Sequence, residues 1–286
     1  MKKDREQLVS RVTERMKQMR MIDMHAHLSF DGERAEQEKE LEFRKNQGIY
    51  TCFSTGTPVE WEQFQPWRER KEILVSFGLH PWYADQFDLE ECEGLFRECD
   101  FIGEIGMDSV WCQVPLKLQQ RVLEGQLQAA ADLGKPVILH TKGQEKRIGE
   151  IIRDFPGKIC VHWYSGTEKD LEGYLEKDCY FTLGPDTADT CGCMRILKEV
   201  SPDRLFVETD GLSAVAWARK AETLEIEEIP AVLWKNTEYA AKAKGYSVRE
   251  MELCMKKNLA EFLNETGEEP EGRRPEREDM AGHEEK

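Results

Sequence analysis

The segment DFIGEI at residues 100–105 is followed by PLKLQQRVLEGQLQAAADL at 115–133 and by PVILH at 136–140. The two outer pieces are short and largely apolar, which is typical of buried strands. In the middle piece, apolar residues recur at spacings of three and four and can share one broad helical face. These residues are Leu116, Leu118, Val122, Leu123, Leu127 and Ala130. The segment therefore predicts a strand, a helix and a second strand, the repeating unit of a parallel α/β protein.

The same alternation extends over most of the chain. Helical stretches separate eight short β-rich runs, which lie at 20–25, 49–54, 73–79, 100–105, 136–140, 158–162, 178–183 and 204–209. Strand and helix repeated eight times predict an α/β fold, a (β/α)8 TIM barrel closed in a single domain. An open, doubly wound sheet is the alternative, and the count of eight disfavours it.

The residues on either side of the repeats predict how the domain begins and ends. Residues 1–19 have the pattern of an extra amphipathic N-terminal helix, and two helices at 228–244 and 248–264 close the chain, so the barrel domain is expected at 20–264. Residues 265–286 are rich in Glu, Arg, Gly and Pro with almost no apolar residue, which predicts a disordered acidic tail.

Composition and charge restrict the class of function. The chain has 286 residues, 40% hydrophobic and 34% charged, as globular proteins do. Its apolar runs are far shorter than the ~20 residues of a membrane-spanning helix, and its first residues offer no apolar export segment. We therefore expect no membrane partner and a cytoplasmic location. The net charge of −16 argues against a general DNA-binding module, although it is compatible with a metal-dependent nuclease.

Histidines mark the predicted carboxyl ends of the strands, where catalytic residues of this barrel gather. Five of the six histidines lie there, namely His25, His27, His80, His140 and His162. A single histidine in such a place is more often structural, but five together indicate a site. Because alternate residues of a strand point to the same side, His25 and His27 of the HAH motif can both face the barrel mouth.

Two carboxylates complete the predicted site. Glu104 stands in a strand otherwise made of Ile and Gly, where an acid needs a paired charge, a proton or a metal ion. Asp210 ends the eighth strand, which suits a metal ligand or a general base for water, and Glu208 could orient a ligating histidine. Six ligands are more than one ion needs, so we expect two divalent ions, Mg²⁺, Mn²⁺ or Zn²⁺. The candidate ligands are His25, His27, Glu104, His140, His162 and Asp210.

With these residues in place, the sequence resembles the TatD family of metal-dependent hydrolases, within the amidohydrolase-like superfamily. The motifs that carry the resemblance are IDMHAHL at 22–28, GLHPW at 78–82, GEIGMD at 103–108, VILHTK at 137–142, VHWYSG at 161–166 and RLFVETD at 204–210. They follow the order and approximate spacing of the family, over residues 20–264. The resemblance implies a (β/α)8 barrel with a divalent-metal centre and, in many members, deoxyribonuclease activity.

The resemblance also implies roles for single residues. His25 and His27 match the first metal pair of the family, and Glu104 matches its bridging acid. His140, His162 and Asp210 match the remaining metal positions.

Two further residues would meet the substrate. His80 in the GxHP motif would face it, and Lys142 could contact a phosphate. The sequence departs from the family after ETD, where Gly211 and Leu212 replace the usual small residue and proline. This departure leaves the metal site intact but the substrate undefined.

Three functions remain open at this point. The first is a phosphodiesterase, in particular a deoxyribonuclease acting on nucleic-acid ends or a small phosphodiester. There, a metal-activated water would lose its proton to Asp210, with Glu104 and His80 as the other catalytic residues. The second is a hydrolase of a small amide, ester or lactone, which fits the negative charge better. The third is an inactive metal-binding interaction protein, which the complete ligand set disfavours.

Overall fold

The computed structural model describes residues 19–187 and 190–263, and within them eight strands form one parallel sheet in chain order. The strands are β1 (Met21–Ala26), β2 (Ile49–Thr55), β3 (Ile73–Phe77), β4 (Phe101–Asp108), β5 (Val137–Lys142), β6 (Ile159–Val161), β7 (Tyr180–Leu183) and β8 (Leu205–Val207). Consecutive strands pair in parallel from β1 to β8. The backbone N–H of Asp210 donates to the carbonyl of His25 (3.0 Å), which joins the end of β8 to β1. The predicted (β/α)8 barrel is confirmed.

Helices follow the strands and surround the sheet. In the described part of the chain they are α1 (Arg34–Gln47), α2 (Pro58–Phe64), α3 (Leu89–Glu98), α4 (Leu116–Leu133), α5 (Glu145–Ile151), α6 (Glu168–Glu176), α7 (Cys191–Glu199), α8 (Leu212–Arg219), α9 (Ile229–Lys244) and α10 (Val248–Leu263). The two closing helices predicted at 228–244 and 248–264 correspond to α9 and α10. The predicted helix at 1–19, apart from Met19, and the predicted tail at 265–286 lie outside the described residues.

The strands are buried on both faces, as parallel strands covered by helices must be. The amino-terminal end of the barrel is closed by Phe262 of α10. Its ring packs edge-on against Tyr180, at 5.4 Å between centroids, and also meets Phe101 and Phe206. Asn258, one turn earlier, donates to the carbonyls of Pro202 and Leu205, which fixes α10 under the barrel. This packing leaves the opposite end, where the strands finish, open for a site.

Helix α4 differs in one respect from its sequence pattern. Leu116, which the apolar spacing places on the buried face, is 38% exposed, whereas Gln119 and Gln126 are buried. Gln126 bonds both the N–H and the C=O of Leu79 (2.7 and 3.1 Å), and Gln119 does the same for Asp108 (2.8 and 3.0 Å). The two amides thus tie the ends of β3 and β4 to the helix, because buried backbone groups beyond a strand need partners.

The connection after β8 contains the helix α8, which begins at Leu212, directly after Gly211. Among the described residues, no helix is both long enough and apolar enough to cross a membrane.

Candidate metal centre

The sequence-predicted ligands come together at the carboxyl ends of the strands. Glu104 and His140 lie within β4 and β5, His162 directly follows β6, and Asp210 lies three residues after the end of β8. Asp210 has a positive φ of 56°, a conformation that Asp tolerates better than most residues. The structure therefore brings into one place side chains from opposite ends of the sequence.

Glu104 is the centre of the cluster and is 2% exposed. Its Oε1 lies 2.6 Å from His140 Nδ1 and 2.7 Å from His162 Nε2. Its Oε2 lies 3.1 Å from His27 Nε2 and 3.3 Å from His25 Nε2. The two oxygens of one carboxylate therefore face two separate pairs of imidazoles.

Asp210 stands beside the first of these pairs. Its Oδ1 lies 3.3 Å from His25 Nε2 and 3.6 Å from His27 Nε2. The carboxylate is 18% exposed, more than those of Glu104 and Glu208 around it. Asp210 can therefore contact both a metal ion and a molecule entering from the mouth.

His80 lies on the other side of the cluster, after β3. Its Nε2 is 3.7 Å from Glu104 Oε1, and its ring packs edge-on against that of His140 (4.9 Å). From the family resemblance of the sequence, His80 is expected to face the substrate. Its position near Glu104 and His140 also allows it to contribute to a metal site.

Burial and the charges of neighbouring groups shift the pKa values of these residues in opposing directions. Burial lowers the pKa of His25, but the Glu104 and Asp210 carboxylates outweigh it and raise the pKa to about 9. Burial also lowers the pKa of His162, but the Glu104 carboxylate outweighs this effect. The pKa of His162 therefore lies well above its usual value. For His80, burial dominates and lowers the pKa to about 4. Burial would raise the pKa of Glu104, yet the surrounding histidines hold it well below its usual range.

The donor set fits divalent metal ions on chemical grounds. Three groups of ligand atoms converge within 4.8 Å: His25, Glu104 and His162; His25, His27 and Asp210; His80, Glu104 and His140. The buried His25 Nε2 has no hydrogen-bond partner among the described residues. A buried imidazole nitrogen without a partner, beside carboxylate oxygens, is a suitable ligand for Zn²⁺ or Mn²⁺. The negative potential that favours protons on these imidazoles favours a cation as well.

Asp108, the last residue of the GEIGMD motif, is a site residue to which the sequence pattern assigned no role. Its Oδ2 lies 3.2 Å from His140 Nε2 and accepts from the indole N–H of Trp82 (2.8 Å). Its Oδ1 accepts from the backbone N–H groups of Val110 and Trp111. Asp108 thus orients the ring of His140 so that Nδ1 faces Glu104, the usual task of a carboxylate behind a metal-ligating histidine. Its position at the carboxyl end of β4 is the sequence feature that could have identified Asp108 as a site residue.

Other buried polar groups support the remaining histidines. Ser54 Oγ lies 3.1 Å from His25 Nδ1. Glu208 Oε1 lies 3.6 Å from His162 Nδ1, an electrostatic contact too long for a hydrogen bond, and burial raises the Glu208 pKa. The contact agrees with the expectation that Glu208 stands behind a ligating histidine.

Lys142 does not join the cluster. Its Nζ donates to Ser165 Oγ (3.2 Å) and lies 4.5 Å from the centre of the Trp111 ring. The amine therefore belongs to the rim of the mouth, two residues beyond His140, where a substrate anion could reach it.

A sequence profile described as TatD related DNase matches residues 22–264. The chain belongs to the TatD family of metal-dependent hydrolases. The match begins at the second residue of β1 and includes every candidate ligand, so the metal-dependent hydrolase expected from the sequence is confirmed at the level of the family.

Several proteins and one solved structure illustrate what the chain is similar to. An uncharacterized metal-dependent hydrolase of Methanocaldococcus jannaschii is 24% identical over 249 residues, covering 78% of this chain and 97% of the relative. A Pantoea ananatis protein named 3'-5' ssDNA/RNA exonuclease TatD is 26% identical, covering 66% and 78%. A human 3'-5' RNA nuclease is 29% identical over 66% of this chain but only 28% of its own length. The crystal structure of a TatD homolog from Escherichia coli K12 superposes with a TM-score of 0.72 at 20% identity, covering 85% of this chain and 97% of that chain, which supports the fold.

Proposed function

We propose that this TatD-family hydrolase is a phosphodiesterase that acts on the ends of single-stranded nucleic acid, using two divalent ions. The proposal rests mainly on how the Glu104 carboxylate is placed between two pairs of histidines. Its Oε2 faces His25 and His27, and its Oε1 faces His140 and His162. A carboxylate placed in this way can bridge two ions, an arrangement typical of enzymes that cleave phosphodiesters. The nuclease names of two relatives support the same substrate class.

The ligands divide into two sets around Glu104. One ion would be held by His25, His27 and Asp210, and the other by His140 and His162. Divalent ions in these places would lower the pKa of water and neutralise charge on phosphoryl oxygens. Asp210 has the exposure needed to accept a proton from an attacking water.

Two residues at the mouth would bind the scissile group. His80 is buried with its Nε2 directed at the same Glu104 oxygen as the second set, so its imidazole can reach a phosphoryl oxygen held there. Lys142 on the rim can neutralise the next phosphate along the strand.

Hydrolysis of a small amide, ester or lactone is the second candidate. The net charge of −16 favours this candidate, because a negatively charged protein offers a polyanionic substrate no overall electrostatic attraction. The same metal centre would serve either reaction, so only the substrate distinguishes the two.

The test uses a 5′-labelled single-stranded oligonucleotide and full-length protein treated with chelator and then given Mg²⁺, Mn²⁺ or Zn²⁺. Stepwise shortening that requires metal and disappears in Glu104→Gln supports the proposal. Glu40→Gln is the matched control, because Glu40 is another buried carboxylate and its partner is Arg44, outside the cluster. A protein that holds metal, leaves DNA and RNA intact and hydrolyses lactones or nitrophenyl esters would favour the second candidate.

A further inference from the structure

Three tryptophans form a partly exposed aromatic cluster beside the metal centre. The rings of Trp111 and Trp163 each pack edge-on against Trp217, with centroids 5.8 and 5.9 Å apart and interplanar angles of 77° and 78°. Trp217 is 61% exposed and Trp111 is 49% exposed. Large aromatic surface left open to water is uncommon without a ligand, and here the two exposed rings of Trp111 and Trp217 adjoin each other, with the half-buried Trp163 beside them.

Each tryptophan is linked through the chain to a candidate ligand. Trp163 follows His162 directly, and Trp217 lies in α8, the helix that begins two residues after Asp210. The backbone N–H of Trp111 donates to Asp108 Oδ1 (2.9 Å), and the other oxygen of that carboxylate meets His140. The cluster therefore sits on the same loops that hold the metal centre.

Trp163 is held in place at a conformational cost. Its φ is 37°, a left-handed region that bulky residues rarely adopt, so the backbone is strained there. Its N–H donates to Thr182 Oγ1 (2.9 Å) and its indole N–H to Asp186 Oδ1 (2.6 Å). The ring covers Gly184, where an added Cβ would come within 2.7 Å of it. Strain maintained next to a candidate ligand indicates a functional orientation of the ring.

A positive charge accompanies the aromatic surface. Lys142 Nζ lies 4.5 Å from the centre of the Trp111 ring. With a net charge of −16, the chain cannot hold a nucleic acid by general phosphate attraction. Aromatic stacking does not depend on surface charge, and it accepts every base because every base has a π-face.

We propose that Trp111, Trp163 and Trp217, with Lys142, form a subsite that stacks a nucleobase at the end of the strand. This inference rests on the proposed function and names how its substrate is recognised. The base stacks on the exposed face of Trp217 and meets Trp111 edge-on, because the two rings lie at 77° to each other, and Lys142 neutralises the adjoining phosphate. DNA and RNA offer the same chemistry to this surface.

The test compares two 5′-labelled oligonucleotides, one intact and one with abasic tetrahydrofuran residues at its last two 3′ positions. Trp217→Ala and Trp111→Ala should each lower kcat/KM on the intact strand by about tenfold, equivalent to ~1.4 kcal/mol, mainly through a higher KM, because a stacking surface for the base is lost. Neither variant should change the rate on the abasic strand. Trp234→Ala, which removes a 47% exposed tryptophan from α9, is the matched control and should behave as wild type on both strands.

A second measurement requires no turnover. In the presence of chelator, deoxyadenosine monophosphate should quench the tryptophan fluorescence of the wild type and quench Trp217→Ala less, whereas deoxyribose 5-phosphate should quench neither. Equal rates in wild type and Trp217→Ala on intact DNA and RNA would overturn the stacking role and leave the proposed function standing. Failure of the metal-loaded wild type to cut either strand would instead refute the nuclease proposal, and this inference with it.

Discussion

Replacing Glu104 with glutamine tests the bridging role directly. The substitution keeps the shape of the side chain but leaves one oxygen in place of two. That oxygen can face only one pair of histidines. In the wild type, Oε1 lies 2.6 and 2.7 Å from the nitrogens of His140 and His162, and Oε2 lies 3.1 and 3.3 Å from those of His27 and His25. In the variant, the other pair then faces an amide NH₂, which has no lone pair for a cation.

We therefore expect Glu104→Gln to reduce the stoichiometry from two tightly held ions to one or none. Loss of a residue that only orients a ligand typically weakens metal affinity by about 10–100-fold. Loss of a ligand atom and a charge should exceed this range, so the weaker site should lose more than about 2.7 kcal/mol, equivalent to a factor of ~100. Elemental analysis after dialysis against a metal buffer gives the stoichiometry, and calorimetric titration gives the affinities.

Glu40→Gln provides the comparison, since it neutralises a buried carboxylate that accepts from Arg44 at 2.8 Å. This variant should lose stability but retain both ions. If Glu104→Gln also retained two ions at wild-type affinity, the carboxylate would not bridge them and the reasoning from its two oxygens would be refuted.

Three further predictions concern the supporting residues. Asp108→Asn should weaken metal binding and activity by about 10–100-fold, because the carboxylate that orients His140 is lost; unchanged titrations would show that orientation is unimportant. His80→Ala should keep the metal content and lower turnover; if elemental analysis showed a lost ion, His80 would be a ligand instead. Gln126→Leu should lower the free energy of unfolding in urea by roughly 1–3 kcal/mol for each of the two Leu79 backbone groups left unpaired, and an unaltered midpoint would contradict that account.

The alternation of strands and helices could be read from the sequence because local periodicity reports which faces are buried. The predicted closing helices at 228–244 and 248–264 agree with α9 and α10 almost to the residue. The same pattern misplaced Leu116, which is exposed, because periodicity records apolar residues and overlooks a buried amide such as Gln126. A buried side-chain amide is stable only where it forms hydrogen bonds. The partners of Gln126 are the N–H and C=O groups of Leu79, which is distant in sequence.

The candidate ligands were likewise within reach of the sequence, since their residue types and their places at strand ends follow from composition and spacing. The sequence does not, however, show which of these atoms are in contact in the folded chain. Asp23 accepts from the backbone N–H of Thr209 at 2.9 Å although the two are 186 residues apart, and no local pattern pairs them. The same closure of β8 onto β1 brings Asp210 to His25.

The sequence by itself thus determined the barrel and the kinds of side chain at its mouth, because both depend on short-range spacing. Only the tertiary structure decided that the oxygens of Glu104 face two different pairs of histidines and that Asp108 stands behind His140. It also brought Trp111, Trp163 and Trp217 together from the separate connections that follow β4, β6 and β8. These contacts are set by how the closed sheet positions its loops in space, a property that the order of residues along one strand does not contain.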